Sequence, residues 1–168
     1  MTQLFMRIDN LENLPEIVLP EGVTLKTHKE GMEKDWEALI EASFGTHYSF
    51  ETMLTNWKGY APDCVFYMVK DGKLISTASA VENADFEGEG WLHMVGTHPE
   101  SRGLGAGKIA TLAVLHSFKD RGYKSVVLST DDERIPAIAT YLKLGFKPIF
   151  TDDTHEGRWA KVMQQIKM

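Results

Sequence analysis

The stretch Arg102-Gly103-Leu104-Gly105-Ala106-Gly107-Lys108 constrains this chain more than any other. It follows an apolar run, Trp91 to Thr97, that reads as a strand, and it opens a helix expected from about Gly107 to Arg121. Small residues in succession let backbone N–H groups converge on one point, and the helix start adds partial positive charge. Arg102 and Lys108 supply full charges. The turn is therefore suited to an anion, most naturally a phosphate. The chain carries 18 Lys and Arg against 24 Asp and Glu, a net charge of −6, so two cations at this one helix start carry weight.

Spacing narrows the phosphate ligand. A P-loop requires G-x-x-x-x-G-K-[ST], but Arg102 and Ile109 stand where Gly and Ser or Thr are needed. A dinucleotide fingerprint requires G-x-G-x-x-G, and Gly103-Leu-Gly105-Ala-Gly107 is one residue short. The acidic residue that would hold a ribose belongs ~20 residues on, and Asp131 is too distant. Close packing of a helix on a strand stays open as the plain alternative.

The flanking segments predict a mixed α/β (α+β) fold with helices on both faces of the sheet. A chain of 168 residues, 43% hydrophobic and 25% charged, suits a single globular domain. We divide it into an N-terminal arm at 1–22, a core at 23–150 and a C-terminal helix at 151–168 on the same domain. Strands are expected at Val23–His28, Cys64–Val69, Leu74–Val81, Trp91–Thr97, Ser125–Thr130 and Phe146–Phe150. Asp71-Gly72 marks a hairpin. Trp36, Leu39, Ile40 and Phe44 mark a first helix ended by Gly45, and Phe50, Met53, Leu54 and Trp57 a second, capped by Ser49. A later helix has Pro136 in its first turn and Gly145 past its end. The acidic balance argues against nucleic-acid and membrane partners. A lone cysteine, Cys64, and the absence of an apolar leader point to the cytoplasm.

Arg102-Gly-Leu-Gly105-Ala-Gly107 resembles the R/Q-x-x-G-x-G/A signature of the GNAT superfamily of N-acetyltransferases. Val95-Gly96-Thr97-His98-Pro99-Glu100 looks like that family's strand entering its pyrophosphate loop, and Tyr141-Leu-Lys-Leu-Gly145-Phe146 looks like its Y-x-x-x-G-F motif. The resemblance covers about residues 23 to 150, and the segment from Arg134 also has local similarity to the mycothiol synthase branch. It implies a mostly antiparallel mixed sheet, splayed where acetyl-CoA binds as cosubstrate. It further implies pantetheine contacts from the backbone of Val95, Gly96 and Thr97, with a nearby N–H facing the thioester oxygen. Phosphate contacts would come from Arg102, Gly103, Leu104, Gly105, Ala106, Gly107 and Lys108. Ala137 lies one turn before Tyr141, and Tyr141 matches the general acid that meets the leaving thiolate. Arg134 replaces the Asn that the family often has there; it reaches a CoA phosphate or faces solvent.

The implied activity is transfer of an acetyl group to a primary amine of a small molecule, by direct attack in a ternary complex. An ammonium must lose a proton first, so a base is sought. His93, at a position similar to a catalytic His of arylalkylamine N-acetyltransferases, is the first choice and Glu89 the second; each has a purely structural alternative. His98 is expected to point away, and Cys64 to be core. His28, His47, His93, His98, His116 and His155 show no ligand spacing, so no metal is expected. The acidic loop of Glu82, Asp85, Glu87 and Glu89, with Phe44, Tyr48, Phe50 and Trp57, is a candidate acceptor pocket. Trp159 and Ile166 on the terminal helix offer a face for a homodimer. The other class of function is a non-catalytic acyl-CoA-binding or sensing module.

Overall fold

The computed structural model describes residues 2–166. Seven strands form one mixed sheet in the order β2-β3-β4-β5-β6-β1-β7. They are β1 (Leu4–Ile8), β2 (Val23–Thr27), β3 (Val65–Lys70), β4 (Lys73–Val81), β5 (Gly90–Thr97), β6 (Val126–Thr130) and β7 (Lys147–Ile149). Every neighbouring pair is antiparallel except β5 and β6. The helices are α1 (Glu33–Phe44), α2 (Ala106–Asp120), α3 (Ile135–Leu144) and α4 (His155–Gln165). Among the described residues no helix is long and apolar enough to cross a membrane.

Period-2 alternation sorts the core into two layers. Met68 of β3 packs with α2, while Val65, Tyr67 and Val69 of the same strand pack with Trp36 and Ile40 of α1. Along α2, Ile109, Leu112, Leu115 and Phe118 are buried against the sheet. Fully burying a side chain of this size contributes roughly 1.5–3 kcal/mol, so α2 is held mainly by this face. Gly90 lets it approach: a Cβ there would meet the Phe118 ring at 2.8 Å. The hairpin between β3 and β4 turns through Asp71 (φ 53°) and Gly72 (φ 76°), the paired left-handed residues of a type I′ turn.

Three expectations are corrected. Residues 4–8 are no arm: β1 sits inside the sheet between β6 and β7 and buries Leu4, Met6 and Ile8 by simple alternation. The second helix contracts to one π-helical turn at Glu51–Thr55, with Ser49 Oγ accepting from Thr52 N–H at 3.1 Å as a cap. On α4, Trp159 is buried at 2% exposure and Ile166 packs on the same cluster, so the homodimer face drawn from them is turned inward.

Candidate active site

β5 and β6 pair only at Gly90–Val126 and Trp91–Val127, then diverge. A bulge in β5 accompanies the split. Ser79 pairs with His93 and Thr77 with Gly96, so β5 carries one more residue than β4 between these pairs. Met94 within it has φ 51°, a left-handed conformation that costs a non-glycine residue roughly 1–2 kcal/mol. A bulge bends its strand, and here β5 turns from β6 to open a cleft of about 1130 Å³. Val95 and Thr97 line one side, Leu128 to Thr130 the other, and Tyr141 and Ala137 the α3 side.

The Gly-rich turn forms one end of this cleft. Gly103 (φ 92°) and Gly105 (φ 76°) carry the chain through left-handed conformations into α2. Gly105 is the N-cap and has no side-chain cap, so the first N–H groups of α2 are available to an anion. A Cβ on Gly107 would lie 2.9 Å from Thr97 Oγ1, so glycine permits this contact between α2 and β5. Arg102, Gly103, Gly105, Ala106, Gly107 and Lys108 line the cleft, whereas Leu104 is 44% exposed and is not among its lining residues. Donors of this number, with Arg102 and Lys108 beside them, fit a pyrophosphate. Gly96 lies outside the cleft, packed toward Ile40 and Ser43, with its carbonyl accepting from Ser76 Oγ at 3.0 Å.

Tyr141 is buried with its ring edge-on to Phe146 at 5.7 Å. Burial pushes its phenol up to about 12, which keeps it protonated at neutral pH. Its hydroxyl has no hydrogen-bond partner among the described residues, and the residue lines the cleft. A polar group so placed is a ready donor to a bound ligand.

The two expected bases are otherwise engaged. His93 Nε2–H donates to Met53 O at 2.8 Å and Nδ1 accepts from the Trp91 indole at 3.3 Å, leaving neither nitrogen free. Desolvation pushes its imidazole down to about 4, so the ring is neutral at pH 7. Glu89 lies at the opposite end of β5 and does not line the cleft. Its oxygens accept from Arg7 Nε (2.7 Å) and Nη2 (3.0 Å), and one also from Ser125 Oγ (2.8 Å). The Arg7 hydrogen bonds hold the Glu89 carboxyl below its ordinary range. His98 caps the turn after β5 by accepting from Glu100 N–H.

The end of α1 joins the cleft also through Ser43, a residue the sequence did not single out. Ser43 Oγ accepts from Thr97 N–H at 3.1 Å and Ser43 O accepts from Arg102 Nη2 at 3.4 Å. The Arg134 guanidinium stacks on Phe44 at 4.4 Å and lies 3.7 Å from Asp131 Oδ2. Gln3, placed by β1, donates to Asp131 Oδ1 at 3.1 Å. None of the acidic-loop residues Glu82, Asp85, Glu87 and Glu89 lines the cleft. Phe44, Tyr48 and Met53 do, while Phe50 is buried on His28 and the half-buried Trp57 packs on His93. Among the described residues no three His, Cys, Asp or Glu side chains converge on a metal site.

Comparison with known proteins places this geometry. The model of the acetyltransferase (GNAT) family matches residues 30–146. Mycothiol acetyltransferase of Thermomonospora curvata is 32% identical over 143 residues, covering 79% of this chain and 47% of the relative. The enzyme of that name from Rhodococcus erythropolis is 33% identical over 157 residues, covering 83% and 51%. The chain thus spans about half the length of the curated relatives it matches. Among solved structures, the GCN5-related N-acetyltransferase from Sphaerobacter thermophilus superposes with a TM-score of 0.73 at 25% identity, over 87% of this chain and 48% of that one. The ribosomal-protein-S18-alanine N-acetyltransferase from Escherichia coli shares the fold, with a TM-score of 0.63 at 17% identity over 76% and 79%. With its split sheet, its uncapped glycine turn and a family match over most of its length, this chain belongs to the GNAT family of acetyltransferases.

Proposed function

We propose that this chain is an N-acetyltransferase that moves an acetyl group from acetyl-CoA to the primary amine of a small molecule, by direct attack in a ternary complex. One observation carries the reading: the divergence of β5 from β6 brings the uncapped start of α2 and the unpartnered Tyr141 hydroxyl to a single cleft. In this reading the first amides of α2 hold the pyrophosphate, flanked by Arg102 and Lys108. The pantetheine arm lies along Val95 and displaces Ser43 from Thr97 N–H. Arg134 and Ala137 border it from α3. The Tyr141 phenol donates a hydrogen bond to the thiolate as it leaves, an interaction with a developing charge and so stronger than a neutral one.

With both nitrogens of His93, which lines the cleft, and the Glu89 carboxylate already hydrogen-bonded, the proton of the amine passes to water in the open cleft. The rate then rises with pH toward the pKa of the acceptor itself, with no enzyme limb near 6.5. The relatives' name makes a mycothiol-related amine one acceptor to test. The single free, buried Cys64 suits the reducing cytoplasm.

The engaged His93 and Glu89 also favour a second reading, an acyl-CoA-binding module without turnover. Release of free CoA thiol, followed across a panel of primary amines, separates the two. Saturable release that Tyr141→Phe abolishes supports the enzyme. Acetyl-CoA binding without release for any amine supports the module.

A further inference from the structure

The π-helical turn after α1 leaves a carbonyl open. Asn56 N–H reaches Glu51 O at 3.0 Å, and Trp57 N–H turns to Leu54 O at 2.9 Å. Among the described residues Met53 O then has no backbone donor, and His93 Nε2–H fills it at 2.8 Å. Leaving a partly buried carbonyl unpaired is costly, so this one bond bears on the path of the turn. Two more contacts fix the imidazole. Trp91 donates to Nδ1 at 3.3 Å, and the Trp57 ring lies over it with 4.0 Å between centroids. The next residue, Met94, is the left-handed member of the β5 bulge. One side chain therefore ties the bulge at the sheet split to the turn whose Met53 lines the cleft.

We infer that His93 is a positioning residue for the acceptor: by holding Met53 O it fixes the turn of residues 49–57, which carries the cleft-lining Met53, and so governs which amines fit. The inference rests on the acetyl-transfer reading above. A base needs a nitrogen with a free lone pair, and the tautomer set by Met53 O and Trp91 leaves none. The Nε2–H of His93 acts as a strut.

Two variants test it. His93→Gln keeps an N–H able to reach Met53 O, and His93→Ala removes it. Each is assayed with whichever of tyramine, glucosamine and cysteine amide the wild type acetylates fastest. Amide hydrogen exchange is measured in parallel, without acceptor. For His93→Ala we expect the acceptor KM to rise about tenfold while kcat stays within about threefold. Acetyl-CoA affinity and the shape of the pH profile are unchanged. Exchange quickens across 49–57 and not across 103–108. His93→Gln restores both KM and protection. A fall in kcat of about 100-fold or more in both variants, with one limb of the pH profile gone, would make His93 the base and overturn the inference. Unaltered KM and exchange in His93→Ala would overturn it equally. If acetyl-CoA does not bind the wild type, the acetyl-transfer reading falls by itself, and exchange across 49–57 still decides whether His93 holds the turn.

Discussion

The wall of the cleft built by β5, α2 and α3 and the wall built by α1 and its following turn are held by different forces. The first relies on backbone: a bulge, glycines at left-handed φ, and an uncapped helix start. Such features depend on few side-chain identities, so a short motif in the chain encodes them. The second wall relies on side chains reaching across the fold, Ser43 to Thr97 N–H, Phe44 to Arg134 and His93 to Met53 O. Each of these needs two residues far apart in the chain. The family match at residues 30–146 spans both walls; the second, built from side-chain pairs far apart in the chain, is where we propose that acceptor choice varies.

Substitutions that act on one wall and spare the other sharpen this contrast. The largest effect belongs to Tyr141→Phe. Loss of its hydroxyl should lower kcat roughly a thousandfold, within the range for a positioned proton donor, and leave acetyl-CoA affinity intact by calorimetry.

The acceptor wall should reveal itself through pH. His93 has a folded pKa of about 4, below its ordinary 6.5. Between those values the unfolded chain binds a proton that the folded chain does not, so stability falls as pH drops from 6.5 toward 4. The displacement corresponds to about 3 kcal/mol. Urea unfolding across that range should show a loss smaller in His93→Gln than in the wild type by about this amount, the remainder coming from other groups with lowered pKa such as His28.

A smaller effect is expected at the backbone wall. Gly107→Val places side-chain atoms against Thr97 Oγ1, and acetyl-CoA affinity should fall about tenfold, roughly 1.4 kcal/mol, with acceptor KM unchanged. Smallest is Glu89→Gln, which weakens the two-pronged bond to Arg7 at the far end of β5. Both side chains are partly exposed, so about 1 kcal/mol of stability is lost and kcat should not move. Because the folded-state pKa of Glu89 is depressed, its contribution is present above the ordinary carboxylate range and disappears as pH falls below it. A large drop in kcat would return Glu89 to the chemistry.

Local signals account for what was readable in advance. The Asp71-Gly72 turn, the alternation within β3 and the capping Gly45 and Gly145 are each fixed by a few neighbouring residues. β1 escaped because five residues in alternation mean little until β6 and β7 pair with them. With it went Gln3 and its bond to Asp131. The role of His93 was not readable because its partner carbonyl belongs to a turn 40 residues away, and only the folded chain sets its tautomer. Glu89 looked like a strand acid near the chemistry, yet its place at the start of β5 puts it beside Arg7 of β1. In both, residue type and position suggested chemistry that tertiary partners had already claimed.

The central claim, that the split between β5 and β6 receives acetyl-CoA, is tested most directly by thermal unfolding with acetyl-CoA, CoA, ATP and NAD in parallel on the wild type and Gly107→Val. A ligand at ~100 times its Kd stabilises by ~2.7 kcal/mol, a rise of several degrees. The account predicts that rise with the two CoA species alone, reduced in Gly107→Val. No rise with either, or an equal rise with ATP and NAD, would contradict it.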